Sequence, residues 1–405
     1  MDATENKQKK ALIAMSGGVD SSVAACLMKE AGFDCIGATM KLFSGEDVRE
    51  NNSLSPEDVG ISKNYSCSSL NDEGISQDHS CSSLNDIGIS PNHSCCSLED
   101  VEDARSVARS LGIRYYVFNF AERFQETVID AFVSAYENGR TPNPCIDCNR
   151  YLKFEKLFLR ARELFCDYVV TGHYARIERN GTTGRFLLKK ALDDTKDQSY
   201  VLYALTQEQL AHIQFPLGSL QKTQVRQIAE EHGFINAKKA DSQDICFVRN
   251  GKYGEFIESY TGRKYPKGDF IDSKGNVLGQ HNGIIRYTVG QRKGLGIAFG
   301  QPMYVKKIDS AANTVILGTN EELFTAALTA KDINLISVER LDAPMRVKAK
   351  VRYRHKEQWA TVTQPDEDTL QVVFDEPQRA ITAGQAVVLY DGDVVVGGGT
   401  IVHIG

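Results

Sequence analysis

The chain has 405 residues, 41% of them hydrophobic and 25% charged, enough for two or three globular domains with cores of their own. Its formal net charge of −6 excludes a global basic field, although a local basic stripe suffices to hold a nucleic acid. No apolar run reaches the length of a bilayer span, and the polar start Met1–Lys10 has neither a secretory apolar region nor the look of a transit peptide. A cytoplasmic protein with no membrane partner is therefore expected. Ten cysteines in such a chain point to reactive or metal-binding thiols rather than a disulfide scaffold.

The first apolar run, 11–14, reads as a buried strand, and 23–29 reads as a helix. Between them lie Ser16, Gly17, Gly18, Asp20, Ser21 and Ser22. The glycines allow backbone conformations that a Cβ forbids, and the free N–H groups of a helix start favour an anion. The segment predicts a strand–loop–helix phosphate cradle. It is neither a Walker A loop nor the dinucleotide fingerprint, since Gly-Lys-[Ser/Thr] and G-x-G-x-x-G are both absent. A second strand is expected over 35–40.

An unusual stretch follows. SCSSLNDEGISQDH at 66–79 returns as SCSSLNDIGISPNH at 80–93, and SCCSLED starts again at 94. This composition is too poor in apolar residues to bury a core. Cys67, Cys81, Cys95, Cys96, His79 and His93 lack a C-x-x-C spacing, which favours a duplicated surface loop over a metal site. Regular patterning resumes with a helix over 99–111, stopped by Gly112, a strand over 115–120 and a helix over 124–136. Such alternation predicts a parallel sheet covered on both faces.

The run Gly139-Arg140-Thr141-Pro142-Asn143-Pro144-Cys145-Ile146-Asp147-Cys148-Asn149 sets a rigid turn before a helix expected near Tyr151. Thiols at a helix start lean toward thiolate, the nucleophilic form. A strand over 166–170 ends in Thr171-Gly172-His173-Tyr174, at the strand edge where open α/β sheets bind ligands. Lys196-Asp197-Gln198-Ser199-Tyr200 follows in a polar loop. After a helix over 223–231, Cys246 sits in a polar run behind Lys238 and Lys239. A lone cysteine is usually a small buried hydrophobe, but Asp241, Ser242, Gln243 and Asp244 argue for a loop, which raises the reactive reading. From Ile284 onward the chain is rich in short strands, including MYVKKID and NTVILG, and reads as a small β-barrel. Within it Arg346, Lys348, Lys350, Arg352, Arg354 and Lys356 alternate with mostly apolar residues, predicting one strand with a wholly basic, phosphate-tracking face. The expected divisions are 1–215, with an inserted loop over 52–97, then 216–286 and 287–405.

The segment Ser16-Gly17-Gly18-Val19-Asp20-Ser21 resembles the pyrophosphate loop of ATP pyrophosphatases. With G-R-T-P-N-P-x-x-x-C-N, T-G-H-Y, K-D-Q-S-Y, D-S-x-x-I-C-F, H-x-G-x-x-x-x-T-x-G-Q-R-K-G-L-G-I and the terminal G-G-G, nearly the whole chain resembles the tRNA-specific 2-thiouridylases. The resemblance implies an α/β fold: a parallel-sheet ATP-pyrophosphatase (adenine nucleotide alpha hydrolase-like) domain, a small central α+β domain, and a C-terminal β-barrel that contacts tRNA. It implies a tRNA-uridine 2-sulfurtransferase that uses ATP and Mg²⁺ to adenylate the C2 oxygen of the wobble uridine, U34, in the anticodon loop. A persulfide sulfur, supplied by a donor protein, then displaces AMP to give 2-thiouridine.

By the same resemblance Ala14, Met15, Ser16, Gly17, Gly18, Val19, Asp20, Ser21, Met40 and Gly172 would bind ATP. Asn143, Pro144 and Cys145 would frame the target base. Cys148 would be the nucleophile and Cys246 the persulfide carrier, with a disulfide to be resolved between the thiols. His173, Lys196, Asp197, Gln198, Arg352, Tyr353 and Gln385 would contact tRNA. Many members carry aspartate where this chain has Cys145, which leaves the general acid/base unassigned; Asp147 lies two residues on. The competing readings are another pyrophosphate-loop ligase, an iron–sulfur protein with Cys145, Cys148 and Cys246 as ligands, and a non-catalytic tRNA binder.

Overall fold

The computed structural model describes residues 8–42, 97–241, 245–248, 251–297 and 300–405. The fourteen-residue repeats, with Cys67, Cys81, Cys95, Cys96, His79 and His93, lie outside the described residues. In chain order the first strands are β1 (Lys10–Ala14), β2 (Asp34–Lys41), β3 (Arg114–Asn119), β4 (Tyr168–Val170), a hairpin of β5 (Arg176–Arg179) and β6 (Phe186–Lys189), and β7 (Ile213–Gln214). All except the hairpin form one five-stranded sheet in the order β3-β2-β1-β4-β7, every pair parallel. This is the sheet that the alternating strand and helix patterns predict.

β1 shows why its sequence is continuously apolar. Strand side chains alternate between faces. Leu12 enters a core with helices on one side, while Ala11 and Ile13 enter a second core on the other. A sheet covered on both faces needs apolar residues at both phases. The second core is closed by α1 (Val19–Glu30) and α2 (Leu98–Ser110), through Val23, Ala24, Ala104 and Val107. α2 opens on a capping box in which Ser97 Oγ accepts from Asp100 N at 3.1 Å and Ser97 N donates to the Asp100 carboxylate at 3.1 Å.

The opposite face is covered by two long helices, α3 over 121–137 and α4 over 144–163. Each contains a π-helical stretch, Gln125–Ile129 in α3 and Cys148–Lys156 in α4. Such stretches are uncommon and recur at functional sites. Three shorter helices follow: α5 (Gln207–Ala211), α6 (Lys222–Glu231) and α7 (Tyr253–Thr261). α6 packs on α1, so the segment after 215 belongs physically with the first sheet. No helix of the described residues is long and apolar enough to cross a membrane.

The remaining strands divide differently from the sequence expectation. β8 (Gly268–Ile271), β9 (Val277–His281), β10 (Tyr304–Asp309) and β11 (Thr314–Gly318) form a separate four-stranded sheet in the order β10-β11-β8-β9. NTVILG therefore pairs with β8, and MYVKKID pairs with NTVILG at the sheet's edge, instead of entering the barrel. Strand pattern reveals alternation but not the partner strand, which long-range register decides. The barrel is built from β12 (Phe324–Leu335), β13 (Met345–Lys350), β14 (Gln358–Asp366), β15 (Thr369–Arg379), β16 (Ala386–Asp391) and β17 (Val394–Ile404), and it closes through β12 on β17. β6 adds to β17 at Val394, so the N-terminal hairpin continues the barrel sheet.

β16 carries the junction. Val387 and Leu389 point into the barrel core, while Ala386, Val388 and Tyr390 enter a third core with Tyr200, Leu202 and Phe215. One strand thus belongs to two cores.

The basic strand predicted over 346–356 is half correct. β13 ends at Lys350 and the chain turns, so Arg352, Arg354 and Lys356 leave the alternation. Arg352 folds inward instead, where its guanidinium donates to the carbonyls of Val289 at 2.9 Å and Ala380 at 3.0 Å. On the strand itself Arg346 pairs with Asp375, and Lys348 lies 5.4 Å from the Trp359 ring. The stripe is shorter and partly neutralised.

Candidate nucleotide and sulfur-transfer site

Ser16 to Ser21 connects β1 to α1 as predicted, at the carboxyl edge of the sheet. Gly17 adopts φ +74°, and a Cβ there would lie 2.3 Å from the Asp100 carbonyl oxygen. The close approach of α2 requires glycine. Ser21 Oγ donates to Gly18 O at 3.0 Å and accepts from Ser16 N at 3.1 Å, which closes the loop on itself. From the other side, Asn236 Nδ2 donates to Gly17 O at 2.9 Å and to Ser22 Oγ at 2.9 Å. Gly172, just after β4, abuts the helix start; a Cβ there would be 2.7 Å from the Asp20 carbonyl carbon. Gly17→Ala is expected to cost about 3 kcal/mol of stability and to remove ATP binding. Thermal unfolding and ATP titration of the purified variant check both parts.

Asp20 is the loop's carboxylate, and it is already engaged. Lys222 Nζ donates to its two oxygens at 2.7 and 2.8 Å, and Tyr174 Oη donates at 2.9 Å. Lys222, at the start of α6, also meets Asp241 at 2.8 Å. Asp241 in turn accepts from Lys196 at 2.8 Å and Arg226 at 2.9 Å. Burial raises the Asp241 carboxyl, but the hydrogen bonds from Lys196 and Lys222 outweigh it and hold the group at about 2. Sequence reasoning missed Lys222 and Arg226, because a lysine and an arginine at the start of an amphipathic helix read as solvated. Nothing in the local pattern reveals their burial against Asp20 and Asp241.

The Arg140–Asn149 run lies where α4 begins. Asn143 stands at the helix cap and Pro144 occupies the first turn, where a missing N–H is harmless. The barrel clamps this loop: Thr141 N donates to Ala383 O at 3.0 Å, and Gln385 Nε2 donates to the carbonyls of Thr141 at 2.9 Å and Pro142 at 3.0 Å. Gln385 is thus spent on holding the loop. Cys145 is exposed, while Cys148 and Cys246 are half-buried. Cys148 opens the π-helical stretch of α4. Cys148 and Cys246 pack against the same core, which also contains Phe247, Phe124 and Phe132. Residues almost a hundred positions apart in sequence are so anchored to one hydrophobic cluster, with Phe247 edge-on to Phe132 at 5.2 Å.

Two of the expected tRNA-contacting groups meet. Tyr353 Oη donates to the Asp197 carbonyl at 3.1 Å, and Lys350 lies 5.6 Å from the Tyr353 ring. Tyr353 is exposed and close enough to Cys145 for the two to interact electrostatically. Around them, Asp197 accepts from Ser199 Oγ at 2.8 Å and Gln198 accepts from Tyr174 N at 2.9 Å. His173 is placed apart from this surface. It is buried, bonded to Thr171 Oγ1 at 2.7 Å and set between Phe154 and Phe215. Burial, aided by Lys153, holds its imidazole neutral. Met40 is half-buried at the carboxyl end of β2, on the edge shared with the loop.

A cavity of about 340 Å³ lies between this run and the barrel, lined by Asn143, Asp147, Tyr203, Gly384 and Thr400 among others. Burial pushes the Asp147 carboxyl up to about 6, opposed by Arg150. A carboxyl raised on folding lends stability fully below its unfolded value, and loses it as pH rises through the folded value. Wild-type protein, compared with Asp147→Asn, is therefore expected to lose roughly 1–2 °C of melting temperature between pH 5 and pH 8. Parallel melts of the two proteins across that range check it.

Comparison with known proteins agrees with this layout. A family model described as "tRNA methyl transferase HUP domain" matches residues 9–71 and 82–250. One described as "tRNA methyl transferase PRC-barrel domain" matches 254–319, and an "Aminomethyltransferase beta-barrel domain" matches 325–401. The tRNA-specific 2-thiouridylase MnmA of Clostridioides difficile is 50% identical over 97% of this chain and 98% of its own length. The protein of the same name from Acetivibrio thermocellus is 49% identical over 97% and 99%. MnmA 1 of Thermoanaerobacter sp. is 48% identical over 98% of both. Identity of this order, covering 97–98% of the chain, makes it a member of the tRNA-specific 2-thiouridylase family.

Proposed function

We propose that the protein is an ATP-dependent tRNA-uridine 2-sulfurtransferase that thiolates the wobble uridine. The observation that carries this reading is the 50% identity over 97% of the chain to a 2-thiouridylase, supported by a glycine–serine loop at a helix start and two thiols on one core. Residues 14–21, Met40 and Gly172 hold ATP. The loop fits that group, since α1 opens at Gly18 with no side-chain cap on its first N–H groups, which favour an anion. Mg²⁺ would offset charge on the phosphates, while Asp20 is held by Lys222 and Tyr174. The cytoplasmic location expected from the sequence is kept as part of this proposal.

A uridine carbonyl is a poor electrophile, and adenylation of its C2 oxygen supplies AMP as a leaving group. The base must leave the anticodon stack to be reached. Asn143, Pro144 and Cys145 frame it, on a loop that Gln385 fixes to the barrel. Lys196, Asp197, Gln198 and Tyr353 form the adjoining tRNA surface, while Arg352, turned inward onto Val289 and Ala380, ties down the turn behind Tyr353. Cys246 receives a persulfide from a donor protein, and its outer sulfur attacks C2 as AMP leaves. The Cys148 thiolate then attacks Cys246 Sγ, which cleaves the S–S bond and frees the thiocarbonyl. A Cys148–Cys246 disulfide remains, and a dithiol reductant resets it.

AMP release tests the substrate assignment. It should need tRNA with uridine at the wobble position and stay at background with cytidine there. Equal release with both would overturn the reading.

A further inference from the structure

A second cluster of ligating side chains lies far along α1 from the loop. Cys26 and Glu30 are four residues apart and share one helix face. His232 caps the C-terminus of α6 and meets them there. Cys26 Sγ is 3.4 Å from His232 Nε2 and 3.7 Å from Glu30 Oε1, and His232 Nε2 is 3.3 Å from Glu30 Oε1. We propose that Cys26, Glu30 and His232 form a binding site for a divalent cation of the zinc class.

The three spacings carry the argument. Zinc bonds of about 2.3 Å to sulfur and about 2.0–2.1 Å to nitrogen and oxygen, at tetrahedral angles, give ligand edges of about 3.5, 3.5 and 3.3 Å. The observed triangle is close to that on every side. His232 and Glu30 are also further apart than a strong charged hydrogen bond, which sits at about 2.8 Å. The donor set is right for the metal: a thiolate, an imidazole and a carboxylate, with a fourth position open to water. Thiolate and carboxylate together balance the charge of the ion. Cys26 is buried, while Glu30 and His232 reach solvent, so the ion has an entry path. The His232 ring is held by stacking on Phe234, with centroids 5.7 Å apart. In the metal-free protein, burial and the neighbouring Glu30 keep the thiol protonated, at about 11. Binding forms the metal–sulfur bond and releases that proton to solvent.

The placement gives the site a role. α1 and α6 are already tied at their starts, where Lys222 meets Asp20. The ion ties them again at their ends, and so fixes the two helices that position the loop carboxylate.

The test uses full-length protein freed of metal by chelation and titrated with Co²⁺ alone. Wild type should bind one equivalent more than Cys26→Ser. The difference spectrum should carry the near-ultraviolet sulfur-to-cobalt band. His232→Ala, a surface change that remains usable if Cys26→Ser misfolds, should weaken that equivalent at least ~10-fold. Equal stoichiometry and equal spectra in the wild type and His232→Ala, or no cobalt bound by the wild type, would overturn the proposal.

Discussion

Cys148→Ala and Cys246→Ala proteins are expected to release pyrophosphate yet yield no 2-thiouridine, a loss of roughly 10³-fold or more. Adenylation needs the loop, the tRNA surface and the positioned base, none of which uses either thiol. Sulfur transfer needs both: one to carry the outer sulfur, the other to break the S–S bond. Both residues are half-buried and pack against the same core. Alanine there removes one sulfur atom at modest stability cost, about 1 kcal/mol. The loss should therefore show in chemistry rather than in folding. The two variants also differ in a readable way. Cys148→Ala should retain the base as a covalent adduct through sulfur on Cys246, whereas Cys246→Ala should form no adduct. Intact-mass analysis of single-turnover mixtures separates these states. Cys145 is exposed and stands beside Tyr353, so its alanine variant should keep both half-reactions.

Lys222→Met should raise the KM for ATP by about 10- to 100-fold and cost about 2–4 kcal/mol of stability. Lys222 is the cation shared by Asp20 and Asp241, and its side chain is 11% exposed. Methionine keeps the apolar stem and deletes the charge, which leaves Asp20 facing Asp241 with Lys196 and Arg226 still on the latter. Asp241 heads the segment that leads to Cys246, while Asp20 belongs to the nucleotide loop. Lys222 hence ties the nucleotide loop to Asp241, and its removal should perturb adenylation first. Arginine at 222 cannot make the same point contacts with two carboxylates and should rescue only in part. Steady-state kinetics in ATP, with chemical denaturation of the same samples, checks the two effects.

The nucleotide loop was legible because its physics is local. Glycines, serines and a helix start within a few residues of an apolar strand mark a strand–loop–helix turn from the local sequence alone. β1 and the helix stopped by Gly112 were legible for the same reason. What the sequence hid depends on distant partners. MYVKKID looks like any exposed-edge strand, and only its pairing with β11, which in turn pairs with β8, assigns it to the middle sheet. Arg352 continues the alternation of β13 in sequence, but the carbonyls of Val289 and Ala380, which draw it inward, lie on other segments. Gln385 likewise looked like a nucleic-acid contact, and its role in clamping Thr141 and Pro142 emerges only when the barrel meets the loop. The two cysteines could be named from their motifs. Their shared core could not, because it is assembled from α3, α4 and the segment around Phe247.

The most direct measurement is nucleoside mass analysis of tRNA with an unmodified wobble uridine, incubated with the protein, ATP, Mg²⁺ and a persulfide source. The account predicts 2-thiouridine that requires ATP and disappears with Cys148→Ala and Cys246→Ala. Full thiolation by either variant, or AMP formation by the wild type with no thiolated nucleoside, would contradict it.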